Sequence, residues 1–145
     1  MQERFQTFTV LITGVSRSIH RIKAEEMAEF DLKSSHVSCL YYIFKAEKLT
    51  ATELCEICEE DKANISRSLK QLEQGGYLIP RGKRYQTPLA LTEKGREVAG
   101  ALAQKVDRVL DAASEGLSES DRAVFYKSLA LINKNLQKIC ADYDI

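Results

Sequence analysis

The sequence of residues 61–76 is DKANISRSLKQLEQGG, and this stretch decides the fold. The apolar residues Ile65, Leu69 and Leu72 recur at steps of three and four, which predicts one buried face of a helix. Asp61 is placed to cap the start of this helix. The final pair of glycines favours its end, because glycine adopts the left-handed conformation at little cost.

Short elements flank this helix on both sides. Before it, Thr50 and Glu53 have the spacing of a capping box and predict the start of a short helix. After it, the β-prone residues 77–79 and the alternating residues 89–91 enclose a basic segment and predict a hairpin. A short helix, a turn, a second helix and a basic hairpin follow one another in the order of a winged helix-turn-helix.

Both ends of the chain predict further helices. A long first helix has an apolar stripe that starts at Phe5, and a second helix has Ser34 or Ser35 at its cap. Beyond the hairpin, Thr92 caps one helix and Ser118 begins the last. The predicted fold class is therefore mainly α: a winged helix-turn-helix with a two-stranded wing, plus N- and C-terminal helices that form a dimerisation region.

The 145 residues are about the size of one domain. We predict a single domain over residues 1–145, with a DNA-binding lobe at 34–96 and dimerisation helices at 1–33 and 97–145. The terminal helices have long apolar stripes for a chain of this size, and these stripes need a partner to bury them. The sequence therefore predicts a homodimer.

The net charge of zero, from 21 basic and 21 acidic residues, conceals a strong polarity along the chain. Residues 62–96 carry eight positive and two negative side chains, whereas residues 47–61 carry one positive and six negative. The zero total argues against a uniformly basic coat protein.

The longest apolar run is too short to span a bilayer, and the N-terminus lacks the layout of a signal peptide. We predict a cytoplasmic protein without membrane partners.

The polar face of the 62–74 helix suits double-stranded DNA. Arginine and lysine bond to the acceptors of guanine, and asparagine bonds to adenine. A recognition helix presents such groups mainly from its N-terminal turns. The predicted DNA-binding residues are Lys62, Asn64, Ser66, Arg67 and Lys70 on the helix and Arg81, Lys83 and Arg84 in the hairpin.

Residues 49–98 resemble the DNA-binding core of the MarR (multiple antibiotic resistance regulator) family. The matching blocks are LTATEL at 49–54, ISRSLKQLE at 65–73, GGYL at 75–78 and LTEKGRE at 91–97. The length and helix order of the whole chain agree with that family. The resemblance implies a homodimeric transcriptional regulator, in most cases a repressor, that binds a pseudo-palindromic operator. It also implies release by a small aromatic or anionic effector, for which the sequence identifies no binding residues.

The hairpin departs from the family pattern at one point. The family wing commonly carries an aspartate followed closely by an arginine that enters the minor groove. Here the tip is RGKRY at 81–85, without an aspartate. Arg84 is the nearest candidate for the groove-inserting role, and another residue must support it.

The cysteines and histidines allow an alternative regulator of the same fold that responds to metal or to thiol oxidation. Cys55 and Cys58 have CxxC spacing, but a zinc site usually needs a second pair, so we predict that both pack in the core. Cys39 and His36 lie one helical turn apart and are also predicted to be structural. We therefore predict no bound metal and no cofactor.

The sequence contains no motif of the common enzyme classes. No phosphate-binding glycine loop, HExxH or GxSxG motif occurs, so we predict no catalytic residues and no enzyme activity. A winged helix that binds an acidic protein partner without contacting DNA is the remaining alternative. The positive charge around a recognition-type helix favours DNA, because neutralising phosphates releases counterions.

Overall fold

The computed structural model describes residues 2–30, 32–46, 48–58, 60–82 and 87–144. A π-helical turn, Thr7–Leu11, separates the first two helices, and a 3₁₀ turn, Ala28–Phe30, follows the second. The chain divides into two compact units, Met1–Val106 and Asp107–Ile145. The α-helices in the described ranges are α1 (Gln2–Gln6), α2 (Ile12–Met27), α3 (Ser34–Lys45), α4 (Ala51–Cys58), α5 (Lys62–Gln74), α6 (Glu93–Ala113) and α7 (Glu119–Tyr143).

The core of the first unit is centred on four helices, with Met27 of α2 and the leucines at 49, 78 and 89 packed around them. Each of α3, α4, α5 and α6 contributes a leucine with no exposed surface: Leu40, Leu54, Leu69 and Leu102. Burying one such side chain stabilises a fold by about 1.5–3 kcal/mol. The apolar face predicted for α5 is confirmed, since Ile65, Leu69 and Leu72 all belong to this core.

Side chains cap the starts of α4 and α5 as predicted. The Thr50 hydroxyl accepts a hydrogen bond from the Glu53 N–H at 3.2 Å, and the Glu53 carboxylate accepts one from the Thr50 N–H at 3.3 Å. Asp61 Oδ1 accepts the Asn64 N–H at 2.7 Å. Each cap satisfies a backbone donor that has no partner within its helix. The turn between α4 and α5 is thus defined on both sides by local chemistry.

The cap predicted for α3 was wrong. Its N-cap is Lys33, whose extended backbone precedes the first helical residue, Ser34, so neither Ser34 nor Ser35 occupies the capping position. The Lys33 N–H donates instead to Nδ1 of His36 at 3.3 Å. The imidazole ring thus takes the acceptor role that the N3 glutamate or glutamine has in a capping box.

The base of the wing is formed by residues on either side of the basic tip. Leu78 and Leu91 form an antiparallel bridge, and the Ile79 N–H donates to the Ala90 carbonyl at 2.9 Å. The Leu89 N–H donates to the Leu49 carbonyl at 2.7 Å, which ties the wing to the segment before α4. Within the ranges that the structure covers, strand pairing is limited to this bridge. The tip, 83–86, lies outside the described residues.

The start of α6 is attached to the end of α5. The Thr92 hydroxyl donates to the Gly76 carbonyl at 2.5 Å and accepts from the Gly95 N–H at 3.0 Å, which confirms Thr92 as the cap. Lys94 Nζ donates to the Gly75 carbonyl at 2.9 Å. Gly76 has a φ of 81°, the left-handed conformation predicted for the helix end. These contacts hold the start of α6 against the turn that ends α5.

The N-terminal segment is helical from Gln2 to Phe30, in agreement with the predicted long helix. Its end is attached to α6 by Lys105, which forms ion pairs with Glu26 at 3.4 Å and Glu29 at 2.5 Å. Its predicted apolar stripe is exposed in the single chain: Phe5, Phe8, Ile12, Val15, Ile19 and Ile22.

The second unit consists of the end of α6 and helix α7. Gly116, with a φ of 95°, ends α6, and Ser118 caps α7 by accepting the Asp121 N–H at 3.0 Å. Large apolar side chains of α7 are exposed in the single chain, among them Phe125, Leu129 and Leu136. Across the described ranges, no helix has both the length and the apolar character needed to cross a membrane.

Candidate nucleic-acid interface

Helix α5 exposes most of the side chains predicted to contact DNA. Lys62, Ser66, Arg67 and Lys70 are all exposed, and Asn64 is partly buried. The opposite side of the helix is fixed in the core by residues such as Leu69. Because the buried side fixes the rotation of the helix, the exposed side presents three cations together with the small polar groups of Ser66 and Asn64 in a constant arrangement.

Three polar residues form a chain along the first turns of α5. Asn64 Nδ2 donates to Asp61 Oδ2 at 3.3 Å, and the Arg67 guanidinium donates to Asn64 Oδ1. The amide of Asn64 is thereby held in one orientation in the free protein. The guanidinium has five N–H donors, so the bond to Asn64 leaves other donors with which Arg67 can contact a base edge or a phosphate.

A shallow cleft lies beside these residues, between α4 and α5. Its volume is about 120 Å³, and Lys62 and Ser66 line it together with Thr52. The cleft opens where both helices begin, so backbone N–H groups of two first turns are close by. Such positions favour an anionic group.

The wing is joined to α5 by an ion pair. Arg81 Nε lies 3.2 Å from Oε1 of Glu73, and the two side chains are only 15% and 22% exposed. Sequence reasoning placed Arg81 among the DNA contacts and did not identify Glu73 as its partner. The ion pair supplies, from the recognition helix, a carboxylate that the wing itself lacks. Lys83 and Arg84, the other predicted wing contacts, lie outside the described residues.

A buried histidine contacts the exposed flank of α5, and sequence reasoning missed this contact. His36 on α3 is 6% exposed, and its Nε2 lies 2.7 Å from Oε1 of Gln71. Gln71 follows Arg67 by one helical turn and is exposed. The 35-residue separation of His36 and Gln71 explains why no local pattern signals the pair.

The cysteines differ in their exposure. Cys39 is buried, Cys55 and Cys58 are partly buried, and Cys140 is exposed. Cys55 and Cys58 pack against the core beside the buried Leu54, as predicted, whereas Ile57 on the same helix is 45% exposed. Among the described residues, no group of three or more His, Cys, Asp or Glu side chains is arranged to hold a metal ion.

Burial makes Cys39 a poor nucleophile. Desolvation, with the nearby Cys58 as a smaller contribution, raises the pKa of the Cys39 thiol to about 12. Burial also raises the pKa of Cys58. Only the thiolate reacts with electrophiles and oxidants. A sensor built on Cys39 would therefore have very little reactive form near neutral pH.

We predict that iodoacetamide modifies Cys39 at pH 8 about a thousandfold more slowly in the folded protein than in urea. The thiolate fraction falls by this factor when the pKa of the thiol rises from its ordinary value of 9.0 to about 12. The rate should increase about tenfold for each pH unit from 8 to 10, in proportion to the thiolate fraction. Peptide mapping by mass spectrometry measures the modification. Comparable rates in the folded protein and in urea would contradict the raised pKa of the Cys39 thiol.

Comparison with known proteins gives one consistent result. A model of the MarR family matches residues 30–84. An HTH-type transcriptional regulator of Bacillus cereus strain ATCC 14579 is 25% identical over 120 residues, covering 82% of each chain.

Solved structures with a similar fold include DNA-bound proteins. S. aureus MepR in its DNA-binding conformation has a TM-score of 0.81 at 17% identity, covering 90% of this chain and 98% of MepR. A putative MarR family regulator from Listeria monocytogenes, complexed with a 26mer DNA, has a TM-score of 0.75 at 22% identity, covering 86% and 85%. These similarities show the winged helix-turn-helix fold.

Proposed function

We propose that the chain is a DNA-binding transcriptional regulator of the MarR family, and that it acts as a homodimeric repressor that binds a pseudo-palindromic operator and is released by a small-molecule effector. In this proposal, residues 34–96 form the DNA-binding lobe, and residues 1–33 and 97–145 provide the dimerisation helices. The chain acts by binding, without catalysis, and the proposal includes a cytoplasmic location.

The exposed face of α5 is the observation that carries this proposal. Arg67 and Lys70 point away from the core, and the wing is attached to the same helix through Arg81 and Glu73. A helix with its polar side exposed over its whole length fits the major groove, while a wing fixed beside it reaches the adjacent backbone. The proposed DNA contacts on the wing are Arg81, Lys83 and Arg84.

Exposed apolar side chains support the homodimer. The stripe on α2 and the face of α7 leave residues such as Ile19 and Leu129 in water in the single chain. Apolar patches of this length on a small chain mark interaction sites. A second copy is the partner that fits best, because two recognition helices related by two-fold symmetry read the two halves of a pseudo-palindrome, one helical turn apart.

A groove on α2, on the same stripe that the proposed second copy covers, supports an aromatic or anionic effector bound at the dimer interface. It has a volume of about 300 Å³ and is open in the single chain. Ile12, Val15 and Ile19 give it an apolar floor, while His20 and Lys23 lie at one end. An apolar floor beside a cation suits an aromatic carboxylate. Thermal-shift measurements with a panel of aromatic carboxylates test this part of the proposal, and a panel without any shift would refute it.

The alternative regulators receive less support. Thiol sensing at Cys39 is disfavoured by the raised pKa of its buried thiol. Elemental analysis of the purified, zinc-reloaded protein tests metal binding. The third alternative is a winged helix that binds an acidic protein instead of DNA. In that case, the protein should not shift the DNA upstream of its own gene in a gel assay, for which scrambled DNA is the control.

Binding-site selection from random DNA tests the proposed function directly. We expect a motif with two related half-sites about one helical turn apart and a dimer of the protein bound to it. Selection of a single half-site, or a protein that is a monomer at micromolar concentration, would refute the proposed geometry.

We predict that Arg67→Ala weakens binding to the selected operator by about 1–3 kcal/mol and removes the preference at one base pair in each half-site. Arg67 is exposed next to Asn64, where a recognition helix reads bases. Fluorescence anisotropy with single-base operator variants measures this effect. Arg108→Ala, an exposed arginine of α6 outside the lobe, is the control and should leave the base preferences intact.

We predict that Arg84→Ala weakens binding about equally for all sequences. A phosphate or minor-groove contact contributes charge rather than base discrimination, so the slope of log K against log salt should fall by about 1 for each half-site. Titrations at several salt concentrations measure the slope. An unchanged slope would remove Arg84 from the proposed interface.

A further inference from the structure

We propose that Gln71 is a specificity-determining residue that reads guanine, and that the buried His36 positions its amide for this purpose. This inference rests on the proposed operator binding and adds a residue to it. Gln71 lies one turn after Arg67 and two turns after Asn64 on the same flank of α5, and it is exposed. It therefore continues the row of polar side chains that faces the DNA in the proposal.

The hydrogen bonds of His36 determine which ring nitrogen carries the proton. The Lys33 N–H donates to Nδ1 at 3.3 Å, so Nδ1 is the unprotonated nitrogen. In the neutral ring, Nε2 then carries the proton and donates to Oε1 of Gln71 at 2.7 Å. His36 is 6% exposed, so the surrounding core holds the ring in place.

This contact leaves the amide of Gln71 to act toward DNA as a hydrogen-bond donor. Its oxygen is turned toward the buried His36, so the NH₂ group, with its two donors, is the part of the amide that can face a base edge. A free glutamine pairs with adenine by donating to N7 and accepting from N6, which needs the oxygen. A glutamine restricted to donation suits guanine, which presents the two acceptors O6 and N7 in the major groove.

Two variants of Gln71 are expected to change the base preference at the same base pair in different ways. In binding-site selection, Gln71→Ala should lose about tenfold of preference for guanine at one symmetric pair of positions. Gln71→Glu should keep the bond to His36, because a carboxylate also accepts from Nε2. It should shift the preference at that position towards cytosine, whose N4 amino group is a donor. Gln104→Ala, an exposed glutamine on α6, is the control and should select the wild-type motif.

Variants of His36 separate a positioning role from a purely structural one. His36→Phe fills the buried volume without a donor and frees the Gln71 oxygen, so adenine should become acceptable at the same position. His36→Gln supplies an amide donor and should restore the guanine preference. A loss of stability alone would lower affinity for every sequence and leave the selected motif unchanged. Circular dichroism establishes that each variant is folded.

The results distinguish failure of this inference from failure of the operator proposal. A wild-type protein that selects no motif refutes operator binding and this inference together. When the wild type selects a motif, an unchanged motif for Gln71→Ala refutes base reading by Gln71. An equal loss of affinity for all sequences makes Gln71 a phosphate contact and also refutes it. The wild-type motif selected by a folded His36→Phe variant refutes the positioning role.

Discussion

Gly95→Ala is expected to destabilise the protein by about 3 kcal/mol, at the upper end of the range for overpacked sites, and to lower its Tm on the order of 10 °C. A Cβ at this position would lie 1.9 Å from the carbonyl oxygen of Tyr77. That oxygen accepts the Thr92 N–H at 3.0 Å. The obstruction is therefore backbone that is already hydrogen-bonded, and α6 must move away from the base of the wing.

Gly100→Ala in the same helix is the matched control. Its Cβ would meet the ring of Phe44 at 3.6 Å, which is ordinary van der Waals contact. Alanine has the higher helix propensity by up to about 1 kcal/mol, so this variant should be as stable as the wild type or slightly more stable. Thermal unfolding followed by circular dichroism compares the two. A similar gain in Tm for both variants would contradict the close approach of α6 to Tyr77.

The parts of the fold that depend on local chemistry could be predicted from the sequence. Caps at Thr50, Asp61, Thr92 and Ser118 each involve a side chain and a backbone N–H three residues later. A pattern of this range is visible in a linear sequence. The cap of α3 was not predicted, because Lys33 lies at the N-cap and a ring nitrogen of His36 takes the place of the usual N3 carboxylate.

Contacts between elements could not be predicted in the same way. The ion pair of Glu73 with Arg81 and the hydrogen bond of His36 with Gln71 join residues that are close only after the helices pack. The glycine of the LTEKG block was visible as a motif, but its reason, the approach to Tyr77, requires the fold. Asn64 and Arg67 were thus predictable as candidates from the pattern of α5, whereas Gln71 and the partners of these side chains became visible only in the structure.

The apolar stripes of the first and last helices were predicted from the sequence, but the single chain does not show what buries them. The periodicity predicted apolar faces on the first and last helices, and these faces are exposed in the single chain, as on Phe5 and Leu136. Such exposure is costly in water. A helical pattern predicts that an apolar face must be buried. Which partner buries it depends on the assembly and cannot be read from the pattern of one chain.

Leu129→Asp on α7 is expected to convert the proposed dimer into a monomer and to reduce operator affinity by about 10²–10⁴-fold, because the two lobes would no longer be linked on one DNA site. Leu129 is 39% exposed in the single chain and shares a stripe with Phe125 and Leu136. A carboxylate there must either lose its hydration in the interface or separate the helices, and separation costs less.

Lys134→Asp is the control for this variant. Lys134 is exposed on the side of α7 opposite Leu129 by helical spacing, and the substitution changes the charge by more than Leu129→Asp does. Sedimentation velocity at micromolar concentration measures the oligomeric state, and anisotropy measures operator binding. If Leu129→Asp remained a dimer with wild-type affinity, the α7 stripe would lie outside the interface, and the assignment of residues 97–145 to dimerisation would have to be abandoned.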